Sequence, residues 1–130
     1  MPTDFTPGRR VLFVDDHEAS LVAVANYLGA GRAWRVRTAR TESEALTLVS
    51  SRPFDVFLID LCLDGASPDG GLRVAERARS LRRSARIVIL SGQSPTPDVV
   101  ERIRKVADVF LTKPLPLRSV ELALAGERVS

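Results

Sequence analysis

The chain has 130 residues, of which 45% are hydrophobic and 27% are charged, and this composition is typical of one compact globular domain. It excludes collagen-like, disordered and repeat proteins. No apolar run approaches the roughly 20 residues that span a bilayer, and no secretory signal precedes the first strand, so we expect a cytoplasmic protein without membrane contact. The net charge of +3 is modest and the arginines are dispersed among acids, so direct nucleic-acid binding is not expected.

Five short segments have the patterns of β-strands. Residues 11–14, 56–59, 87–90 and 109–111 are continuous apolar runs, which are typical of parallel strands buried on both faces. In residues 34–38, Trp34, Val36 and Thr38 alternate with arginines, which predicts an edge strand with one face in water.

The segments between these strands have helical spacing. Thr41 with Glu44 indicates a capping box, and Thr96 before Pro97 indicates another helix start. Pro116 begins the last helical pattern. The apolar stripes that predict the helices are Leu21, Val24, Ala25 and Leu28; Val74, Ala78 and Leu81; Val99, Ile103 and Val106; and Leu117, Val120 and Leu124.

Strict alternation of five strands with five helices predicts an α/β fold with a doubly wound parallel sheet and right-handed crossovers. We expect residues 1–9 to be a flexible N-terminal tail and residues 10–130 to form the domain. No output domain is expected after the last helix.

Polar residues follow the apolar runs at the strands' carboxyl ends, where open α/β sheets bind ligands. Asp15 and Asp16 follow the first run, and Asp60 ends the third strand. Ser91 and Lys113 follow the fourth and fifth strands. Two like charges about 4 Å apart repel by roughly 4 kcal/mol at an effective dielectric constant near about 20, so three carboxylates in one cleft predict a bound cation.

The residue types favour Mg²⁺, which prefers carboxylates and leaves positions open for phosphoryl oxygens. The single cysteine, Cys62, and the absence of a histidine cluster argue against zinc. With a metal and Lys113 neutralising charge, Asp60 could act as a nucleophile toward phosphorus, and the Ser91 hydroxyl could donate a hydrogen bond to the new phosphoryl group.

These residues resemble the receiver domain of two-component response regulators over most of the chain. The resemblance rests on VLFVDD with Asp15 and Asp16, FLID with Asp60, VILSG with Ser91 and FLTKP with Lys113. Four short motifs in this order, each at a strand's carboxyl end, form a specific pattern.

The resemblance implies a flavodoxin-like sheet with strand order 2-1-3-4-5. It implies that Asp60 is the phosphoacceptor, that Asp16, Asp60 and the main-chain carbonyl of Cys62 bind Mg²⁺, and that Asp15 assists through water. It also implies a cis bond between Lys113 and its following proline, and a switch in which Phe110 rotates inward when Ser91 moves.

The sequence departs from the family pattern after the phosphoacceptor. Asp64 stands where family members usually have a proline, and the loop at residues 64–70 is about two residues longer. This departure puts metal approach and partner access in doubt.

Three further residues invite functional hypotheses that the residue types alone do not favour. We expect His17 to be a first-turn helix residue near the cleft rim rather than a metal ligand. Cys62 is predicted to be a small apolar filler rather than a redox group, and Trp34 a packing residue. Phe110 is predicted to lie in the core.

The favoured function is a stand-alone receiver that takes a phosphoryl group from a sensor histidine kinase or phosphotransfer protein. It would catalyse only its own phosphorylation and dephosphorylation, so it is not an enzyme in the usual sense. Its state would be read by a downstream protein at the fourth helix, fifth strand and fifth helix, or by a homodimer. A degenerate receiver acting as an unphosphorylated binding module is the alternative, and a metal-dependent phosphatase using Asp60 is a third possibility.

Overall fold

The computed structural model describes residues 9–31, 33–63 and 69–126. Five strands alternate with five helices along these residues. Their order and bounds are β1 (Arg9–Val14), α1 (Glu18–Ala30), β2 (Trp34–Ala39), α2 (Glu42–Ser51), β3 (Val56–Asp60), α3 (Gly70–Leu81), β4 (Arg86–Ser91), α4 (Pro97–Val106), β5 (Val109–Thr112) and α5 (Leu117–Ala125).

The strands form one parallel sheet in the order β2-β1-β3-β4-β5, as predicted. The register aligns the carboxyl ends of the three central strands. Val14 of β1 pairs with Ile59 of β3. The residues that follow them, Asp15 and Asp60, therefore lie at the same edge of the sheet. Asp60 pairs with Leu90, one residue before the end of β4.

Two apolar clusters cover the two faces of the sheet, because successive strand residues point to opposite sides. Leu12 and Val14 pack with Phe57 on the face covered by α2, α3 and α4. Val11 and Phe13 lie on the other face, which α1 and α5 cover. Burial on both faces explains why the central strands are continuous apolar runs.

The predicted helix starts are confirmed at α2 and α4. The Thr41 hydroxyl accepts a hydrogen bond from the Glu44 backbone N–H at 3.1 Å, and the Glu44 carboxylate accepts one from the Arg40 N–H at 2.8 Å. Thr96 caps α4 through a longer contact of 3.5 Å with the Val99 N–H. Within the described residues, no helix is long and apolar enough to cross a bilayer.

Several details differ from the sequence expectations. The edge strand β5 is only half buried, so Phe110, expected in the core, is exposed at its surface. Leu81, placed on the apolar stripe of α3, is exposed because it is the helix's last residue. Strand β1 starts at Arg9, which the predicted tail had included; residues 1–8 and 127–130 lie outside the described residues. Trp34 is buried, as predicted.

Candidate functional site

Asp15 and Asp16 occupy the turn between β1 and α1. The Asp15 side chain is almost fully buried, and its Oδ1 accepts a hydrogen bond from the His17 backbone N–H at 2.9 Å. This short-range bond is a typical use of aspartate before a helix, and it holds the Asp15 carboxylate at the sheet edge. Asp16 is partly exposed, but its Oδ1 is buried and accepts no hydrogen bond among the described residues.

Asp60 and Lys113 meet at the centre of this edge. Asp60 is the last residue of β3 and is only 4% exposed. The Lys113 ammonium donates a hydrogen bond to Asp60 Oδ2 at 3.1 Å and lies 3.8 Å from Asp15 Oδ2. The Cys62 backbone N–H donates to Asp60 Oδ1 at 3.3 Å. Thus both oxygens of the Asp60 carboxylate have polar partners.

Burial raises the pKa of Asp60 above its ordinary value, and the neighbouring Asp15 charge raises it further. The positive charge and hydrogen bond of Lys113 oppose that rise in pKa, as does the Cys62 N–H. A cation added next to these two buried carboxylates would act in the same direction as Lys113. The electrostatics of the site therefore favour binding of positive charge.

Ser91 ends β4 beside Asp60, but its hydroxyl is engaged by its own loop. Ser91 Oγ donates to the Gln93 carbonyl at 2.6 Å and accepts from the Gln93 N–H at 3.2 Å. The Ser91 carbonyl accepts a hydrogen bond from the Lys113 N–H at 2.8 Å, which fixes the ends of β4 and β5 together. The bond between Lys113 and Pro114 is cis, as the resemblance implied.

Phe110 lies outside this cleft and is 37% exposed. Cys62 is also exposed and lines the cleft, so the prediction that it is a buried filler is wrong. Its position directly after Leu61, which is buried, explains the difference, because neighbouring residues of an extended chain point to opposite sides.

A cavity of about 470 Å³ opens over the site. Asp60, Ser91 and Lys113 line one side, and the loop and first turn leading into α4 line the other through Pro95 and Val99. The cavity therefore connects the acidic edge with the start of α4.

The oxygen atoms at this edge fit a hard divalent cation. Ligand atoms of Asp15, Asp16, His17 and Asp60 all lie within 4.8 Å of one another. The buried Asp16 Oδ1 lacks a hydrogen bond, which is costly unless another positive group satisfies it. Carboxylate oxygens are the ligands that Mg²⁺ prefers, so these residues fit the expected ion.

Most of the predicted site residues converge: Asp15, Asp16, Asp60, Ser91 and Lys113 share one edge of the sheet. Metal binding by the Cys62 main-chain carbonyl stays a prediction. Asp64 and residues 65–68 of the departing loop lie outside the described residues.

Two features of the site were missed by sequence reasoning. His17 is not in the first helical turn: it is the N-cap residue of α1, with an extended backbone, and its ring faces the carboxylates. Gly71 packs directly on the end of β3, and a β-carbon there would lie 2.0 Å from the Asp60 carbonyl oxygen. The Gly-Gly pair at the start of α3 was the available signal for this close approach.

The fold and this acidic edge match the receiver domain that the sequence resembles, and comparison with known proteins agrees. The response regulator receiver domain family matches residues 11–125. The chain belongs to this family.

Among curated proteins, the chain is 32% identical over 119 residues to the photosynthetic apparatus regulatory protein RegA of Rhodobacter capsulatus. The match covers 92% of this chain and 62% of RegA. The acid tolerance regulatory protein ActR of Rhizobium meliloti is also 32% identical, with 95% of this chain and 63% of ActR covered. The chain thus spans less than two thirds of the length of these relatives.

Among solved structures, a response regulator from Burkholderia pseudomallei with a phosphorylated aspartic acid, calcium ion and citrate is 31% identical. The superposition has a TM-score of 0.77 and covers 89% of this chain and 66% of that one. This likeness supports the receiver fold over nearly the whole described domain.

Proposed function

We propose that this domain accepts a phosphoryl group on Asp60 from a phosphohistidine of a sensor histidine kinase or phosphotransfer protein. The observation that carries the proposal is the contact of 3.1 Å between Lys113 Nζ and Asp60 Oδ2, beside two further carboxylates at the same sheet edge. Phosphoryl transfer depends more on stabilising the negative charge of the phosphoryl oxygens than on a general base. A buried carboxylate with an adjacent ammonium group is suited to this reaction.

In the proposed reaction, one Asp60 oxygen attacks the phosphorus atom and forms the acyl phosphate. The phosphorus–nitrogen bond of the donor breaks, and its electron pair stays on the leaving imidazole nitrogen. Asp15, Asp16, Asp60 and the Cys62 main-chain carbonyl would hold Mg²⁺, which supplies positive charge to the phosphoryl oxygens. Lys113 donates a hydrogen bond to Asp60 Oδ2 and keeps the carboxylate oriented.

The same residues suggest how the state is transmitted. In the structure described, the Ser91 hydroxyl donates to the Gln93 carbonyl, and Phe110 is exposed on β5. A phosphoryl oxygen on Asp60 offers this hydroxyl a charged acceptor, which forms a stronger hydrogen bond than a neutral carbonyl. Ser91 would then leave Gln93, and Phe110 would turn inward, changing the surface of α4, β5 and α5.

A downstream protein would read this surface, with homodimerisation as the second way of reading it. The domain would act as a switch rather than as an enzyme on a separate substrate. A degenerate receiver that only binds partners is disfavoured, because it would not need Lys113 in contact with a buried Asp60. Taking the charges of an ion pair out of water has a desolvation cost, and a module that only binds partners gains nothing from it.

The test is intact mass spectrometry after incubation with acetyl phosphate and Mg²⁺. We expect one phosphoryl adduct on the wild-type protein, and none on Asp60→Asn or in the presence of EDTA. Asp98→Asn, an exposed carboxylate on α4, is the matched control and should keep the adduct. An adduct that persists on Asp60→Asn would overturn the assignment, and its absence from folded wild type with both acetyl phosphate and a phosphohistidine donor would favour the binding module.

A further inference from the structure

His17 is the only histidine in the sequence, and its ring lies at the acidic edge. Nδ1 of His17 is 3.2 Å from Asp16 Oδ1 and 3.4 Å from Asp15 Oδ1. The residue has an extended backbone at the start of α1, with φ −92° and ψ 111°, so the side chain is not part of the helix surface.

These separations match those between ligands of one metal ion. Two ligands at right angles on a metal with bonds of about 2.1 Å lie about 3.0 Å apart, and two opposite ligands lie about 4.2 Å apart. The ligand atoms of Asp15, Asp16, His17 and Asp60 all fall within 4.8 Å of one another. One ion can therefore contact the imidazole nitrogen and the carboxylates with small side-chain adjustments.

Two independent features support a ligand role for the ring. The neighbouring Asp16 Oδ1 is buried and accepts no hydrogen bond among the described residues, and the His17 ring nitrogen lies 3.2 Å from it. The backbone of His17 is anchored by the Asp15 carboxylate at 2.9 Å, while its side chain is 72% exposed. His17 Nδ1 also lies within hydrogen-bond distance of Asp15 Oδ1, at 3.4 Å, so the ring already faces the carboxylate oxygens.

We propose that His17 is a nitrogen ligand of the metal at this edge and makes the site selective for first-row transition ions such as Co²⁺ over Mg²⁺. The inference rests on the metal site of the proposed function and adds the class of ion that the site prefers. Imidazole nitrogen binds Co²⁺, Ni²⁺ and Zn²⁺ well, whereas Mg²⁺ favours oxygen. Because imidazole adds a donor without adding charge, its removal affects Mg²⁺ binding little.

The experiment measures affinities for Co²⁺ and Mg²⁺ by titration calorimetry, using the 130-residue chain without a histidine tag. Wild type, His17→Asn and Asp60→Asn are compared at one pH. We expect His17→Asn to weaken Co²⁺ binding about tenfold or more and to change Mg²⁺ binding by less than about twofold. Asp60→Asn should weaken both, because it removes a shared carboxylate.

A control variant tests whether Co²⁺ affinity depends on a histidine at position 17 or on a histidine anywhere on the surface. Arg104 is exposed on α4, so Arg104→His in the His17→Asn background restores a histidine outside the site. We expect this double variant to bind Co²⁺ as weakly as His17→Asn. Recovery of Co²⁺ affinity in the double variant would contradict the proposal.

Nuclear magnetic resonance gives a readout that is independent of affinity. Because the chain has one histidine, its ring protons are a unique set. Coordination to paramagnetic Co²⁺ should shift them far outside the normal range, and the signals should be missing from His17→Asn. Cys62 lines the same cavity and offers a competing thiolate ligand. We expect no thiolate-to-cobalt absorption band, because the proposed ligand is the imidazole nitrogen.

The outcomes distinguish this inference from the proposed function. Equal losses of Co²⁺ and Mg²⁺ affinity in His17→Asn, or an unshifted histidine in the Co²⁺ complex, overturn the role of His17 and leave the proposed metal site intact. Failure of folded wild type to bind either ion overturns both. Loss of Co²⁺ affinity alone, with a shifted ring, establishes the ligand.

Discussion

At the scale of single residues, one ion pair joins the first and third strands at the end opposite the site. Asp55 accepts hydrogen bonds from the Arg10 backbone N–H at 2.8 Å and from its guanidinium at 3.2 Å. These hydrogen bonds, more than the charge of Arg10 alone, hold the pKa of Asp55 below its ordinary value. The pair is partly exposed, so its contribution to stability is modest.

Asp55→Asn keeps an acceptor for the Arg10 backbone but removes the charge. We expect the free energy of unfolding at pH 7 to fall by about 0.5 to 1 kcal/mol, measured by urea titration. Because the folded-state pKa is lowered, the stabilisation is present above the ordinary carboxyl pKa and is lost as pH falls through the folded value. The difference between wild type and variant should therefore shrink in acid below about pH 4.

Glu101→Gln is the matched control, since Glu101 is exposed and no described residue forms an ion pair with it. It should unfold like wild type at both pH values. A difference for Asp55→Asn that is constant down to pH 2 would mean that the effect comes from packing rather than from charge.

At the scale of elements, the start of α3 is seated on the end of β3. The Gly71 N–H donates to the Leu61 carbonyl at 2.9 Å, and a β-carbon at Gly71 would lie 2.0 Å from the Asp60 carbonyl and 2.8 Å from Leu61. Backbone atoms of a central strand cannot move away easily, because they are fixed by the sheet. The glycine thus determines how closely α3 approaches β3, the strand that ends in Asp60.

Gly71→Ala should destabilise the domain by about 2 to 4 kcal/mol, measured by chemical unfolding, because the overlap is with backbone. Gly29→Ala is the control: Gly29 lies in α1, and a β-carbon there meets nothing within 4 Å. Alanine should stabilise that helix by about 0.5 to 1 kcal/mol. Similar effects of the two substitutions would show that close approach is not what Gly71 provides.

The elements themselves could be predicted from sequence because their signals are local. Continuous apolar runs identify strands buried on both faces, and Thr41 and Thr96 indicate the helix starts that the structure confirms. Long-range contacts could not be predicted in the same way. Gly71 approaches β3 through the folded chain, and the exposure of Phe110 depends on β5 being an edge strand.

The same contrast between local signals and long-range contacts applies to the candidate site. The positions of Asp15, Asp60 and Lys113 could be predicted because the carboxyl ends of parallel strands meet at one edge. The bond from Ser91 to Gln93 and the direction of the His17 ring could not, since side-chain rotamers depend on neighbours that sequence patterns do not specify.

At the scale of the whole molecule, the site and the proposed partner surface are linked through β4 and β5. The Ser91 carbonyl accepts a hydrogen bond from Lys113, and Phe110 lies on the same edge strand. Arg102 of α4 contacts Glu76 in the middle of α3 at 2.9 Å and the N-cap residue Asp69 at 3.4 Å, which ties α4 to α3. We expect a change at Asp60 to be transmitted to α4 through these contacts.

Phe110→Trp makes the proposed change at β5 measurable by fluorescence. With Mg²⁺ and beryllofluoride, which imitates a phosphoryl group, we expect the emission to shift to shorter wavelength as the exposed ring enters the protein. Wild type is the control for the native tryptophan, Trp34, which is buried on β2 at the far edge of the sheet and should not respond. Adding Ser91→Ala removes the hydroxyl that is proposed to move, so the shift should disappear although beryllofluoride still binds. An undiminished shift in that double variant would mean that Ser91 does not couple Asp60 to Phe110, and that the signal reaches β5 by way of α4 instead.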